Sequence, residues 1–429
     1  MKLKWLFPFF CLLCSMVMSA APASKEKKEM GLEEVRALVH QNRTVIIENL
    51  NKQVAAENLK QQKSERLPEF LLGGTGYLSN KIPLASGYDN SNSFLYQFNL
   101  SSEFDVYTGG MHKYAIERMR KEHQMSEENL LKVEQEIELQ VYVLLYDIHR
   151  NIKYQDFVRS SIRLREKEYE RINQLYINGL VLKSDLLRSK LYITDLQKDE
   201  VAIQNSINIL SDKLCMLLGM DERFSIIPTL EKNLDYQIVE SFDNLFNHAL
   251  AYSPSLKIHH TSNERENVIL KEIYAKRRPQ LKLYAQYGVG SPQPTFKYDH
   301  QLGGEFGAKL SFSLSSFYKT KHQIKAQKHR LIREKLILTD EEEKLKNTVY
   351  ELYTRYMESL LNINRAMEKI EMSKESMRIL RNSYFNQQAL LIDVLESETK
   401  TMEASFEWVE AVVDSQKYYW ALKQVCGYL

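Results

Sequence analysis

The sequence is poor in the features that usually announce a function. Its 429 residues include only four cysteines, nine prolines and fifteen glycines, and the net charge is +2. Cys11 and Cys14 lie in the N-terminal apolar segment, which leaves Cys215 and Cys426 for the rest of the chain. Two thiols in an exported chain of this length make no disulfide scaffold, and their spacing is no metal motif. A Cys215–Cys426 bridge is open to the sequence, but nothing in it argues for one. The near balance of charge gives no electrostatic reason to expect nucleic acid as a partner. Scarce glycine and proline favour long helices. Beyond the N-terminus no eighteen residues in a row are apolar, so no transmembrane helix is expected. Any contact with a bilayer must then be made by strands.

The N-terminus reads MKLKWLFPFFCLLCSMVMSAAPAS. Lys2 and Lys4 precede an apolar run from Trp5 to Met18, and small residues follow. This is the pattern of a secretory signal peptide, residues 1–23, with cleavage after Ala23. The run is too short to span a membrane. Lipidation of Cys14 is not expected, because Leu13 precedes it where a lipoprotein signal wants a small residue.

Motifs of enzymes are missing. Gly288-x-Gly290 has no third glycine and no following helix. Gly73-Gly74-x-Gly76 has no Lys-Ser/Thr, so it is no phosphate loop. His259-His260 are adjacent and point to different helix faces, which suits surface histidines better than a metal. No Ser–His–Asp or paired-carboxylate arrangement is recognisable. Neither enzyme activity nor a cofactor or metal is expected.

What the sequence does have is an internal repeat. At a constant offset of 208, Phe104, Val106, Lys113 and Ile116 fall on Phe312, Leu314, Lys321 and Ile324. Ile137, Val141, Leu144 and Ile148 fall on Leu345, Val349, Leu352 and Tyr356, and Tyr176, Asn178, Leu182, Asp185 and Leu187 fall on Tyr384, Asn386, Leu390, Asp393 and Leu395. Upstream the offset becomes 211, so a loop difference is expected between Pro68 and Phe104. Each copy reads helix, strand, strand, helix, helix. The first repeat is placed at 24–219, a connecting segment at 220–241 and the second repeat at 242–429. Helices are expected over Leu32–Arg66 and Phe242–Arg277. Strict alternation predicts strands near 68–79, 93–106, 279–290 and 301–314. Helical hairpins are expected over 109–219 and 317–427, with 4-3-4 apolar seams as in coiled coils. Their tips fall near 177–184 and 385–392. Asn178-Gly179 is a good turn signal in the first. Gln387-Gln388 replaces it in the second, which predicts a tighter or more helical turn there.

Strand lengths of ten to thirteen residues suit a tilted bilayer crossing. Four strands cannot close a barrel, and an open sheet cannot sit in lipid with unpaired edges. Membranous strands would therefore require several copies of the chain.

With the repeat, the FDVYTGGMHKYAI passage from strand into helix and the YxxG…DLL and Y…DVL tips in hand, the sequence resembles the TolC family of outer membrane efflux channels over essentially its whole mature length. The resemblance implies a mainly α protein with membrane β structure: a homotrimer whose coiled-coil α-hairpins form a periplasmic tunnel capped by a 12-stranded barrel in outer membrane lipid. It implies an exit duct of a tripartite efflux or type I secretion system. Its partners would be a periplasmic adaptor and an inner-membrane pump of RND, ABC or MFS type. Position by position, it places the channel gate at Tyr384, Asp393 and Glu396, with the family's basic partner falling on Ala389. The two acidic positions, three apart on one helix face, would form rings of three carboxylates; the plainer reading is solvated helix residues. The adaptor-contacting tips would be Asn178, Gly179, Leu180 and Ser184, with Asn386, Gln387, Ala389 and Leu390; ordinary turn chemistry is the alternative. The rival architecture is a periplasmic coiled-coil adaptor or scaffold, which would show one hairpin inserted among short strands and no twofold repeat.

Overall fold

The computed structural model describes residues 26–79, 82–84, 87–89, 93–230, 240–290 and 301–429. The signal peptide and part of the connecting segment expected at 220–241 lie outside the described residues. In order, the elements are β1 (Lys27–Met30), α1 (Leu32–Leu38), a 3-10 turn (Val39–Gln41), α2 (Arg43–Ser64), β2 (Glu69–Ser79), β3 (Ile82–Leu84), β4 (Gly87–Asp89), β5 (Ser93–Tyr107), α3 (Met111–Ile177), α4 (Lys183–Leu217), β6 (Ser225–Pro228), α5 (Phe242–Tyr252), α6 (Pro254–Ala275), β7 (Gln280–Gly290), β8 (Gln301–Ser311), α7 (Ser316–Phe385) and α8 (Leu391–Val425). They form two compact units. A sheet unit comprises Ile46–Val133 and Asp243–Thr348; a hairpin unit comprises residues up to Val45, Glu134–Phe242 and Val349–Leu429.

In the sheet unit, four antiparallel strands lie in the order β2-β5-β7-β8. β2 pairs with β5 from Glu69↔Glu103 to Ser79↔Ser93, and β7 pairs with β8 from Gln280↔Ser311 to Gly290↔Gln301. The central β5–β7 ladder joins the two repeats and shifts register between Asp105 and Tyr107. Such a shift marks the place where a strand bends out of its sheet. The chain then turns into α3 through Gly109 at φ +67°. A Cβ there would lie 2.6 Å from the Cβ of Arg278 and 2.8 Å from the carbonyl of Ala275, so position 109 needs glycine for both its dihedral and its neighbours. Arg278 holds the turn by donating from Nη1 to the Gly109 carbonyl at 3.1 Å.

Two helices expected to be continuous are broken. Leu32–Arg66 is interrupted at Asn42, whose side-chain oxygen accepts the Thr44 and Val45 N–H groups at 2.7 and 3.4 Å. Its amide donates to the Leu217 carbonyl at 2.6 Å, so the same residue starts α2 and ties it to the end of α4. Phe242–Arg277 is interrupted at Ser253, extended at ψ 120°, because Pro254 removes a backbone donor and disfavours a helical residue before it.

The hairpin unit buries the expected seam. Val141, Ile148 and Val349 are fully enclosed and Tyr356 nearly so, while Leu144 and Leu352 are only half-buried; Leu345, in the sheet unit, is half-buried as well. α3 buries a wider face than the 4-3-4 pattern indicates, taking in Tyr142, Leu145 and Tyr146. Tyr142 and Trp420 pack with ring centroids 4.7 Å apart, and the Trp420 indole N–H donates to the Tyr146 hydroxyl at 3.3 Å. A short parallel pair, β1 with β6, runs from Lys27↔Ser225 to Met30↔Pro228 and was not expected from the sequence. Cys215 and Cys426 are both buried free thiols, so no disulfide joins them.

Candidate channel wall and hairpin tips

The sheet has two faces of opposite character, and its registers define them. Across β2, β5, β7 and β8 one face carries Phe70 and Leu72, then Phe98 and Leu100, then Leu283 and Tyr287, then Phe306 and Leu310, all exposed. Phe306, midway along β8, is 91% exposed. The other face carries Glu69, Thr75, Asn99, Glu103, Lys282, Gln286, Glu305 and Lys309. An apolar face of this extent in water would be severely unfavourable, since each fully exposed Leu or Phe forgoes about 1.5–3 kcal/mol. Apolar-out and polar-in alternation is the arrangement of strands between lipid and an aqueous lumen. β2 and β8 leave open edges in the single chain.

The hairpin tips share one turn. In the first, Gly179 N–H donates to the Tyr176 carbonyl and Leu180 N–H to the Leu175 carbonyl, both at 2.9 Å. In the second, Gln387 N–H donates to Tyr384 at 2.9 Å and Gln388 N–H to Ser383 at 2.8 Å, the same pattern 208 residues on. This double bond closes a helix on a left-handed residue. Gly179 has φ +69°, and Gln387, with φ 61°, is the one non-glycine residue at positive φ among the described residues. The expectation of a tighter or more helical second turn is therefore corrected: the turn is the same, held by a glutamine in a glycine conformation. The next helices also begin alike, at Leu182 (φ −80°, ψ 153°) and Leu390 (φ −84°, ψ 153°).

Asn178, Gly179, Leu180 and Ser184 are exposed, as are Asn386, Gln387 and Leu390; Ala389 is half-buried. Tyr384 is buried in an apolar cluster with Ile172, Leu391, Val394 and Leu395, against which Val181 and Leu186 of the first tip pack. Its hydroxyl finds no hydrogen-bond partner among the described residues, and burial, with the Asp185 carboxylate second, pushes its pKa up. Asp393 accepts the Leu390 N–H at 3.2 Å and so caps α8, while Glu396 is exposed.

A buried charge cluster lies just above the tips and was invisible in the sequence. Arg165 is 1% exposed, donates from Nη1 to Glu168 at 2.9 Å, and pairs through Nη2 with Glu398. Arg381 reaches the other oxygen of Glu168 at 2.6 Å. The Arg165 guanidinium also stacks on the Tyr192 ring at 4.8 Å, and the Tyr192 hydroxyl lies 3.0 Å from Thr399 Oγ1. Burial pushes the Glu398 carboxyl up to about 7, and Glu168 pushes the same way; Arg165 and Arg381 oppose both. The four residues tie α3 to α7 and α8. At the offset of 208 their counterparts are Ser373, Ser376, Asn173 and Lys190, so the cluster belongs to one site and not to the repeat.

Residues 37–220 match the family of outer membrane efflux proteins. No curated protein matches the sequence. Among solved structures, the outer membrane protein VceC of Vibrio cholerae is 16% identical with a TM-score of 0.78, covering 92% of this chain and 96% of its own. The CmeC outer membrane channel of Campylobacter jejuni is 12% identical with a TM-score of 0.77, covering 92% and 85%. The open state of the MtrE outer membrane channel of Neisseria gonorrhoeae is 14% identical with a TM-score of 0.74, covering 92% and 88%. CmeC and MtrE are outer membrane channels and VceC an outer membrane protein, and this chain shares their fold. By sequence, residues 37–220 are similar to the outer membrane efflux proteins, and across both repeats the chain shares the fold of these outer membrane proteins.

Proposed function

We propose that three copies of the chain assemble into the exit duct of a tripartite efflux or type I secretion system. Each copy contributes four strands to a 12-stranded barrel and two hairpins to a periplasmic tunnel. The duct receives substrates from an inner-membrane pump through a periplasmic adaptor. The observation that carries this reading is the sheet with one exposed apolar face, one polar face and two unpaired edges. Lipid covers the apolar face, and β8 of one copy pairs with β2 of the next. Native mass of the protein extracted from outer membranes in mild detergent tests it. Three chains per particle are expected; a monomer in the soluble periplasmic fraction would overturn the duct in favour of a periplasmic scaffold.

In this reading the hairpin tips are the pump-side mouth. Tyr384, Asp393 and Glu396 form the gate, with Asp393 and Glu396 as carboxylate rings around the three-fold axis that attract cations. Asn178, Gly179, Leu180 and Ser184, with Asn386, Gln387, Ala389 and Leu390, form the adaptor contact. Their exposure, apart from half-buried Ala389, supports this. Replacing Asp393 and Glu396 by Ala should alter conductance or divalent-cation block in planar bilayers; unchanged currents would reduce both to surface residues. Introducing a charge at Ser184 or Leu180, as in Ser184→Glu or Leu180→Asp, should lower adaptor crosslinking, and an unaffected yield would remove the docking assignment.

A further inference from the structure

The start of α7 is the most one-sided charge run in the protein. Residues 316–333 carry Lys319, Lys321, Lys325, Lys328, Arg330 and Arg333 and no Asp or Glu. The corresponding residues 108–125 carry four cations and two glutamates. There Arg118 is paired with Glu122 and Glu272, and Lys121 with Glu264. A packed strand-to-helix junction therefore does not need the excess charge of the second copy. In that copy Arg330 bonds Gln327 and Arg333 bonds Glu334, but the four lysines are exposed and pair with no described residue. Ser316, Thr320, Ile324 and Gln327 form the buried stripe of the helix, and the lysines flank it on both sides. Thr320 and Gln327 are tied down by Arg277 and Glu266, so the stripe is held and the lysines are displayed.

Position gives this charge a partner. α7 starts five residues after β8 ends, and the apolar face of β8 continues into it through exposed Phe312, Leu314, Phe317 and Tyr318. Aromatic residues followed by cations mark the edge of a bilayer. At about 1.5 Å per residue, Lys319 and Lys321 lie within ~5–8 Å of the first residue of the helix, the depth of a headgroup layer. Lys325 and Lys328 follow at ~13 and ~18 Å, reaching the layer by long side chains and through the first screening length of about 8 Å.

We infer that Lys319, Lys321, Lys325 and Lys328 form a collar that binds anionic phospholipid headgroups in the leaflet at the helical end of the sheet. The inference rests on the membrane reading of the strands. Each lysine near an anionic surface contributes an attraction that salt weakens. The collar would favour anionic lipid around the channel and fix the depth at which the strands sit.

The test places the full-length protein in nanodiscs of phosphatidylcholine with a minority of phosphatidylglycerol, without lipopolysaccharide. Retained lipids and chain number are then read by native mass spectrometry. Phosphatidylglycerol should be enriched by about tenfold over the nanodisc mixture, and the enrichment should collapse as salt rises from about 0.05 to about 0.5 M. Changing all four lysines to Gln should abolish the enrichment, and changing them to Arg should keep it. Enrichment that survives high salt, or persists in the Gln variant, overturns the collar. The wild-type salt series decides this even if the Gln variant fails to assemble. Chain number is read in the same spectra: an intact trimer without enrichment rejects the collar alone, whereas a wild-type monomer rejects the barrel reading on which it stands.

Discussion

Changing Glu398 to Gln isolates the behaviour of the buried charge cluster at the hairpin tips. Glu398 is 9% exposed at its side chain and shares the space with Arg165 and Glu168, which are 1% and 5% exposed. Its carboxyl is raised from the ordinary 4.5 to about 7, with burial as the largest cause. A carboxyl whose folded pKa exceeds its unfolded one holds its proton more tightly in the folded state. Its contribution is thus fully present below about pH 4.5 and is lost as pH rises through about 7. At 1.36 kcal/mol per pKa unit, the packed tips should lose about 3 kcal/mol between those limits. Glutamine keeps the shape of the protonated acid and removes the titration. The assay is amide hydrogen exchange over the first turns of α8, with opening free energies corrected for the intrinsic pH dependence of exchange. In the wild type the opening free energy should fall by about 3 kcal/mol from about pH 5 to about pH 8; in Glu398→Gln it should stay level. Equal slopes in the two proteins would refute the reasoning, because the cluster would then be ionised alike in open and closed tips.

Other predictions test other parts of the fold. Changing Arg165 to Met leaves the Glu168 and Glu398 carboxylates facing each other in a buried site, and should destabilise the tips by about 3–5 kcal/mol in the same exchange experiment. Changing Gln387 to Gly should raise thermal stability by about 1 kcal/mol by relieving its left-handed backbone, and Gly179→Ala, where no atom lies within 4 Å of the new Cβ, should lower it by a similar amount. Changing Phe306 to Arg puts a charge midway along the apolar face and should cost about 2–4 kcal/mol, seen as loss of assembled protein from outer membranes. Glu305→Gln, on the polar face beside it, should leave assembly unchanged. Changing Asn42 to Ala removes the α2 cap and the bond to Leu217, and should cost about 1–2 kcal/mol in denaturant or thermal unfolding.

The strands were the most legible elements. Period-two alternation in Leu281–Val289 and Phe306–Leu310 reflects the same division into an apolar and a polar face that the sheet shows, although the alternation runs on to Leu314, past the strand's end at Ser311. Helix ends were legible where a single residue decides them, as Gly179 does. Gln387 was misread because propensity favours glycine at positive φ, while the surrounding hairpin imposes the same turn on whatever side chain stands there. The breaks at Asn42 and Ser253 lay inside helical patterns whose apolar spacing continues across them. Pro254 was a visible cue, but Asn42 acts through a bond to Leu217, 175 residues away. The charge cluster was illegible for the same reason. Arg165, Glu168, Arg381 and Glu398 look like four surface charges on three amphipathic helices until packing brings them together, and the internal repeat gave no help because their counterparts are uncharged or, in Lys190, of opposite sign.

The strand order β2-β5-β7-β8, antiparallel at every step, has a consequence for how such a duct can be made. With four strands per chain the two edges run in opposite directions, so in the proposed ring β8 of one copy would meet β2 of the next as an antiparallel neighbour. Closure therefore imposes no parity restriction on copy number, and the ring size must be set elsewhere, by helix packing and strand tilt. If the proposed ring forms, each chain carries two adhesive borders and a greasy face until it closes. Such a molecule has no safe solitary state. On the proposed trimer, assembly is a race between finding two siblings in a membrane and sticking to anything else, and the geometry of the sheet sets that race.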